Sequence, residues 1–313
     1  TDYYRIYQYL DKLDDKDCKC VYHVQMDGKS YQKWMPVSNK PIHIKIVVYL
    51  SIYFRRLFDL MRDWLNPPQI LVLHRGLIGR YVPYSFRFLL KRITARGTRL
   101  IWDYDDHIIA NGEVPQAVFN ECAELASHIL VTHDFLKSLL PLSCQHKAVI
   151  IPTTDGDMYP SYSKELNKTR LEQLKKNVIL VWVDTRTNLL FLKKIMPALD
   201  KAARTLIELD GRKLKLKVIC NAPLEGEYEN ITVENIPWTR NRAIHGMMES
   251  HIGIMPLIDC EITRGKGGFK LIQYLSIGLP CIGSDVGYNK TVISSECGSL
   301  VKNERDWEDA IIR

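Results

Sequence analysis

A glycine-rich basic loop at residues 264–270 carries the densest chemical signal in the sequence. It leads into a predicted helix, Lys270–Ile277, and the start of a helix offers unpaired N–H groups and a partial positive charge that bind phosphate. We therefore expect a phosphate site here; the alternative is a solvated turn that contains the same residue types. The basic residues of the loop are Arg264, Lys266 and Lys270, and its glycines are Gly265, Gly267 and Gly268.

Polar and aromatic residues follow two other predicted strands in the C-terminal half. The segment between one of these strands and the next helix contains Thr185, Arg186 and Thr187. Phosphates bind to α/β sheets at such positions, although Arg186 also fits a surface turn. Trp238 suits a nucleotide base because an aromatic face stacks on a planar ring. The competing interpretation of Trp238 is a core residue.

The N-terminal half places polar residues at two predicted strand ends. His74 ends one strand, and Asp105 and Asp106 follow another, so these three residues are candidates for contacting a ligand. The triplet Asp103-Tyr104-Asp105 matches the sequence pattern of a D-x-D metal-binding motif. The competing interpretation is that these carboxylates cap a helix or pair with an arginine, and that His74 is structural.

The elements that must position these residues alternate regularly along the chain. Short β-branched runs separated by helical patterns predict parallel sheets with helices on both faces. A polar stretch, Tyr159–Asn177, predicts a linker or a surface helix, so we place a domain boundary between residues 165 and 166, giving domains 1–165 and 166–313. The predicted strands are Lys19–Val24, Ile70–Leu73, Arg99–Trp102, Ile129–Thr132 and Val149–Ile151, then Val178–Val183, Leu216–Cys220, Thr232–Val233, Ile252–Met255 and Cys281–Ser284.

Composition excludes several classes of protein. The chain has 313 residues, of which 46% are apolar and 25% charged, and this excludes disordered, collagen-like and disulfide-scaffold proteins. A net charge of +7 favours anionic partners. The cysteines form no C-x-x-C pair and no run of about 20 apolar residues occurs, so we expect reduced thiols in a cytoplasmic protein.

The segment Lys45–Arg62 mixes aliphatic and aromatic residues with four basic ones. We favour a packed domain helix whose arginines lie in water. The alternative is an interfacial helix that contacts anionic lipid, which would place the protein at the inner face of the membrane.

The region 269–292 resembles the signature region of retaining GT-B-fold glycosyltransferases of the family 4, or group 1, type. The matching stretches are Phe269–Tyr274, Gly278–Pro280 and Ser284–Gly287, with Asn289 and Val292. The resemblance is strong over 178–302 and looser before it. It implies a GT-B fold, in which two Rossmann-like, doubly wound domains face a cleft, the N-terminal one binding the acceptor and the C-terminal one the nucleotide sugar. Residues 5–9 resemble the first helix of the family, and because the sequence opens without Met and without a preceding strand, we expect its first strand and loop to be missing.

The resemblance also implies roles for individual residues. Lys266, Lys270 and Arg264 would neutralise the donor diphosphate, and Phe269 would line the same site. On the acceptor side, the residues that would contact the acceptor hydroxyl are His74, Asp105 and Asp106. The family commonly places two glutamates eight positions apart, where this sequence has Gly265 and Gln273. We expect Gln273 to hydrogen-bond the ribose as a neutral group. Because fixed cations can stabilise the departing diphosphate, neither a metal nor a cofactor is expected.

Taken together, these features predict a metal-independent glycosyltransferase of the hexosyltransferase class that uses a UDP- or GDP-sugar. Its acceptor would be a glycan or a lipid-linked hydroxyl, in cell-surface polysaccharide or glycolipid assembly. The alternative function is a non-catalytic nucleotide-sugar-binding protein that keeps the scaffold, since both glutamates are replaced. Nucleic-acid binding is disfavoured because the positive charge is spread thinly and no recognised module occurs.

Overall fold

The chain folds into two compact units, Thr1–Pro152 and Thr153–Arg313. The computed structural model describes residues 2–12, 19–24, 30, 33, 40–79, 81–156, 158 and 163–313. Among these residues, the first unit has one buried apolar cluster and the second has two. Met158 packs within the second unit, ahead of the domain boundary that the sequence suggests after residue 165, and that boundary stays a prediction.

The described part of the first unit contains a parallel sheet with the strand order β1-β2-β3-β4. Its strands are β1 (Ile70–His74), β2 (Arg99–Tyr104), β3 (His128–Val131) and β4 (Ala148–Ile150). The side chains of Trp102, Tyr104 and Phe119 pack beside β2, and the ring centroid of Trp102 lies 4.9 Å from that of each of the other two. Burial of such large rings stabilises a core by about 1.5–3 kcal/mol each.

Helices precede and connect these strands. They are α1 (Asp2–Arg5), α2 (Ile42–Leu65), α3 (Tyr84–Ala95), α4 (Gln116–Leu125) and α5 (Asp134–Ser138), with 3₁₀ turns at Tyr7–Lys12 and Leu142–Lys147. The predicted strand Lys19–Val24 is wrong, because these residues form neither strand nor helix. Val21 and Tyr22 are both exposed, so the apolar run there lacks the burial that would stabilise a strand.

Helix α2 is a packed helix on one of its sides. Val48 and Leu60 are buried, and Tyr53 stacks on Phe86 of α3 at 5.0 Å between ring centroids. Arg56 donates from Nε to the carbonyl oxygen of Leu77 at 2.9 Å, so this arginine is bound within the unit rather than lying in water. No helix among the described residues is long and apolar enough to cross a membrane.

The second unit is built on a parallel sheet of six strands in the order β10-β9-β8-β5-β6-β7. The strands are β5 (Asn177–Val183), β6 (Lys213–Cys220), β7 (Thr232–Pro237), β8 (Ile252–Met255), β9 (Cys281–Ser284) and β10 (Gly298–Val301). The chain moves outward from β5 in one direction and then returns to begin again at β8. This order is that of Rossmann sheets, which bind ligands at the carboxyl ends of the strands where the order reverses.

Its helices are α6 (Lys164–Leu174), α7 (Leu189–Asp210), α8 (Arg240–Met248), α9 (Glu261–Arg264), α10 (Phe269–Ser276), α11 (Asn289–Val292) and α12 (Glu304–Ile312). The polar stretch that predicted a linker or a surface helix forms α6, which begins where the hydroxyl of Ser163 accepts from the N–H of Leu166. Residues 159–162 of that stretch lie outside the described residues.

Helix α10 is fixed on the sheet by Tyr274. The Tyr274 hydroxyl accepts a hydrogen bond from the N–H of Val183 at 3.1 Å, which ties α10 to the end of β5. Its ring lies on Gly253 of β8, where an added Cβ would overlap Cδ2 and Cγ of the ring. The helix that follows the basic loop is thus held against the two strands at which the sheet order reverses.

Candidate functional site

The candidate site lies in the second unit, where the basic loop enters α10. Helix α9 ends at Gly265, and Gly268 adopts a left-handed conformation with φ of 63° at the start of α10. No side chain caps this end of α10 among the residues that the structure describes. The first turn of the helix therefore keeps the N–H groups and the partial positive charge that suit an anion.

The glycines of this region allow close packing of three loops. A Cβ on Gly268 would lie 3.1 Å from Val292 Cγ2, and one on Gly287 would lie 2.8 Å from the carbonyl oxygen of Arg264. Gly287 also has a positive φ of 54°. The loop after β9 therefore lies directly against the end of α9, and a larger residue at either position would push the basic loop out of place.

Lys270 occupies the first turn of α10 and is half-buried. Burial lowers the pKa of its ammonium group, while the charges of Asp184 and Asp155 act in the opposite direction. The ammonium nitrogen donates to Gln273 Oε1 at 3.1 Å and lies 5.2 Å from the ring centroid of Phe269. A lysine in this position carries its charge to the end of the helix that already attracts anions.

Gln273 is buried and links Lys270 to a second charged pair. Its Nε2 donates to Asp155 Oδ2 at 2.8 Å. Asp155 in turn accepts from both terminal nitrogens of Arg240, at 2.8 and 3.2 Å. The four side chains form a continuous polar network that ends at the start of α10.

Sequence reasoning missed Asp155 and Arg240. Asp155 lies in an irregular segment shortly before residues 159–162, and no motif surrounds it. Arg240 is the first residue of α8, directly after Thr239, whose hydroxyl accepts from the N–H of Arg242 and caps the helix. A helix start that follows the edge strand β7 was the available signal, because such positions lie at the carboxyl edge of the sheet.

Arg264 and Lys266 differ in their surroundings. Arg264 is half-exposed and forms an ion pair with Asp259, from Nε at 2.6 Å and from Nη2 at 3.0 Å. Lys266 is half-buried, and its backbone N–H donates to the carbonyl of Thr263. Gly265 and Gly267, on either side of Lys266 in the sequence, are buried. Arg264 is thus already engaged by a carboxylate, which distinguishes it from Lys266 and Lys270.

The residues predicted after β5 lie at its carboxyl end. Thr185, Arg186 and Thr187 are exposed, and the hydroxyls of the two threonines lie 3.0 Å apart. The N–H of Arg186 donates to Asn221 Oδ1, from the loop after β6, at 2.7 Å. The structure therefore gathers the ends of β5 and β6 at one edge of the sheet.

Trp238 follows β7 and is 47% exposed, which excludes the interpretation as a core residue. Its backbone N–H donates to the carbonyl of Cys220 at 3.0 Å. An exposed indole at a strand end has an open surface for a planar partner.

Asn289 carries a buried polar atom that lacks a partner. Its Nδ2 donates to the carbonyl oxygen of Ser284 at 3.1 Å, whereas Oδ1 has no hydrogen-bond partner within the described part of the chain. A Cβ on Gly268 would lie 3.8 Å from this oxygen. An unpaired buried acceptor costs roughly 1–3 kcal/mol, so a donor from a bound molecule at the start of α10 would offset that cost.

In the first unit, His74 is part of a buried ionic cluster. Its Nδ1 lies 2.6 Å from Asp103 Oδ2, and Arg5 Nε donates to Asp103 Oδ1 at 3.1 Å. Burial opposes ionisation of Asp103, but the bonds from His74 and Arg5 prevail and lower its pKa. Asp103, the first aspartate of the D-x-D triplet, therefore pairs with an arginine and a histidine.

Asp105 and Asp106 pair with Arg75. Arg75 Nε lies 2.9 Å from Asp105 Oδ1, its Nη2 lies 2.6 Å from Asp106 Oδ2, and its Nη1 lies 2.9 Å from Glu113 Oε1. Burial opposes the charge of Arg75, yet the three carboxylates raise its pKa overall. No group of three or more His, Cys, Asp or Glu side chains among the described residues could hold a metal ion.

Comparison with solved structures places this fold among known ones, whereas no protein-family model and no curated protein matches the chain. An α,α-trehalose 6-phosphate synthase from Burkholderia multivorans matches with a TM-score of 0.53 at 11% identity, over 87% of this chain and 68% of its own. HepE from Anabaena, in complex with UDP-glucose, gives 0.51 at 11% identity, over 82% and 71%. A UDP-GlcNAc 2-epimerase from Methanocaldococcus jannaschii gives 0.50 at 10% identity, over 83% and 74%.

These identities are low enough that the likeness concerns the fold alone. The expected fold class is confirmed: the chain has the α/β fold of GT-B proteins, with a parallel sheet in each of its two units.

Proposed function

We propose that this chain is a retaining glycosyltransferase that binds a UDP- or GDP-sugar in its second unit and transfers the sugar to an acceptor hydroxyl. The observation that carries the proposal is the half-buried Lys270 at the uncapped start of α10. This helix is tied to β5 and β8, the strands at which a Rossmann-type sheet binds its ligand. The likeness to HepE in complex with UDP-glucose supports a UDP-sugar as the donor.

The chemistry of the site suits the departure of a nucleoside diphosphate. Negative charge develops on the leaving oxygen as the bond to the sugar breaks, and pre-positioned cations and N–H groups stabilise that charge most when it is largest. Lys270 and Lys266 would neutralise the diphosphate, with the amides of Gly267 and Gly268 beside it. Arg264 would act after release from Asp259. No metal or cofactor is needed for this step.

The remaining predicted residues complete the donor and acceptor assignments. Trp238 would stack on the base of the nucleotide, and the exposed turn Thr185–Thr187 would contact a phosphate or the sugar. In the first unit, we propose that His74, oriented by Asp103, contacts the acceptor hydroxyl. Asp105 and Asp106 would act indirectly, because their ion pairs with Arg75 hold the loop in which they lie. The acceptor would be a glycan or lipid-linked, as in cell-surface polysaccharide or glycolipid assembly at the cytoplasmic face of a membrane.

Calorimetric titration with UDP, GDP and their glucose conjugates tests the donor site. Lys270→Ala should weaken binding by roughly tenfold to a hundredfold, because a hydrogen bond to a charged group contributes about 1.5–3 kcal/mol. The matched control is Lys175→Ala, which removes a lysine that is 68% exposed and paired only with Glu172 of α6 in the described structure. Equal affinity in the wild type and the Lys270 variant would refute the assignment.

A second candidate function is a nucleotide-sugar-binding protein without turnover. The observation that favours it is that Gly265 and Gln273 stand where the resembling enzymes carry glutamates, and that Gln273 is engaged by Lys270 and Asp155. Incubation of the protein with radiolabelled donor and candidate acceptors separates the two functions. Binding with neither transfer nor hydrolysis would support the second.

A further inference from the structure

We propose that Arg240 and Asp155 position the ammonium group of Lys270 through Gln273, in a directional relay that requires one carboxylate and one amide. This inference rests on the proposed function, because it assigns Lys270 the task of holding the donor diphosphate. It makes Asp155, Arg240 and Gln273 positioning residues, which act on the ligand through Lys270.

The relay begins with a buried carboxylate. The side chain of Asp155 has no exposed surface, whereas that of Arg240 is 29% exposed. Arg240 donates to both oxygens of Asp155, a fork that fixes the plane of the carboxylate as well as its place. An aspartate buried without such a partner would be strongly destabilising, so this pair is a rigid anchor.

The anchor determines which way the amide of Gln273 points. A carboxylate only accepts hydrogen bonds and an ammonium only donates them. Nε2 of Gln273 must therefore face Asp155, at 2.8 Å, and Oε1 must face Lys270, at 3.1 Å. The reverse orientation would set two acceptors against each other at one end and two donors at the other.

The ammonium of Lys270 is the end of the relay. It has three N–H bonds, of which the contact with Gln273 uses one. Fixing that bond orients the remaining two for the oxygens of an anion at the start of α10. Without Gln273 the long side chain of Lys270 could adopt many rotamers, and ordering it on binding would cost conformational entropy.

The relay also explains why residue 273 is an amide. A carboxylate here would lie within hydrogen-bond distance of Asp155 in a buried site, and two such carboxyl groups cannot both ionise readily. Exchanging the two groups, by Asp155→Asn together with Gln273→Glu, keeps the chain of hydrogen bonds from Arg240 to Lys270 but loses one arm of the Arg240 fork, because an amide has a single oxygen. Arg240 then donates to the new amide oxygen at position 155, and the new amide N–H donates to the new carboxylate at position 273. Lys270 donates to that same carboxylate.

The double exchange is the decisive test. Asp155→Asn and Gln273→Glu, made singly, should each weaken UDP or GDP binding about tenfold, and the double variant should bind no more weakly than either single variant instead of losing about a hundredfold. Binding by Gln273→Glu should also fall as pH rises, because the second carboxyl of the close pair then loses its proton and adds a negative charge beside the site. Additive losses in the double variant would overturn the proposal.

Asp200→Asn is the matched control. Asp200 also accepts N–H groups within the second unit, from Asn230 and Ile231, but it has no link to Lys270 in the described structure. This variant should lose stability without losing nucleotide affinity. Arg240→Lys gives an independent variant at a partly exposed position, and loss of the fork should weaken binding about threefold to tenfold. An unchanged affinity for this variant counts against the relay.

A second measurement separates this inference from the proposed function. Titration of the Lys270 side chain by NMR in lysine-labelled protein, assigned with Lys270→Arg, needs no nucleotide. Asp155→Asn should lower the pKa of Lys270 by removing a nearby charge, and the double exchange should restore it. If the wild type binds no nucleotide while these shifts occur, the proposed function fails, and only the positioning of the Lys270 ammonium group stands. If nucleotide binds but Lys270 titrates alike in all variants, the relay fails alone.

Discussion

Outside the candidate site, the hydrogen bonds of the buried His251 side chain specify one protonation state. Its Nδ1 accepts from the N–H of Ile179 at 2.8 Å, and its Nε2 lies 3.0 Å from the carbonyl oxygen of Arg170, so Nε2 carries the proton. Burial is the main cause that lowers the pKa of His251. The folded state therefore requires the neutral imidazole.

This requirement predicts a pH dependence of stability. Because the pKa is lower in the folded state than in the unfolded chain, the contribution of His251 is complete above about pH 6.5 and is lost as pH falls through the folded value. The urea midpoint of the wild type should drop between pH 7.5 and 5.5, and His251→Gln should reduce the drop. His245→Gln, an exposed histidine of the same unit, is the control. An equal drop in both variants would contradict this account.

At the scale of elements, helix α10 depends on its contact with β8. Gly253 admits the ring of Tyr274, which an added Cβ would overlap. Arg170 of α6 fixes the other end of α10, since its Nη1 donates to the carbonyl oxygen of Ile277 at 2.9 Å while Nε donates to that of Met248 at the end of α8. The position of the basic loop thus follows from the packing of α10.

Gly253→Ala should therefore disturb both stability and binding. Overpacking of this kind costs about 1–3 kcal/mol, and the shift of α10 should weaken UDP or GDP binding about tenfold or more. Thermal unfolding and calorimetric titration measure the two effects. Gly79→Ala is the control, because an added Cβ there meets no atom within 4 Å in the described structure. Normal nucleotide affinity in Gly253→Ala would show that α10 does not set the geometry of the site.

Most elements of the second unit follow from local pattern. The apolar run of β5 and the helical spacing of α10, which ends where Gly278 stops it, predict their elements to within a residue or two. The failure at Lys19–Val24 has a physical cause. A short β-branched run becomes a strand only when a neighbouring strand accepts its hydrogen bonds, and the run itself does not contain that information.

At the scale of the whole molecule, the two units have separate apolar cores. The cluster of the first unit is confined to residues up to Cys144, and both clusters of the second lie beyond residue 157. Since every residue of the proposed donor site belongs to the second unit, nucleotide binding should stabilise that unit directly. A substitution can therefore change the local stability of one unit, and the local stability of each unit can be measured separately.

Hydrogen exchange with mass spectrometry tests whether the first unit can be destabilised without changing nucleotide binding by the second. Ile129→Val removes a buried methyl group from β3 and should cost about 0.5–1.5 kcal/mol, with faster exchange in peptides of β2 and β3. UDP or GDP should slow exchange in β5, β8 and α10 equally in the wild type and in this variant. Loss of that nucleotide-dependent protection in Ile129→Val would contradict the assignment of the donor site to the second unit.

The sequence by itself determined the alternation of strands and helices, the α/β class and the basic loop at the start of α10. These features depend on residues near one another in the chain, such as the glycines and lysines of 264–270. Only the tertiary structure decided that Asp155 and Arg240 join Lys270, that Arg264 is engaged by Asp259, and that Asp105 and Asp106 belong to Arg75. Asp155 is 118 residues from Gln273, and such a pairing depends on how the sheet brings distant loops to one edge, which local spacing does not encode.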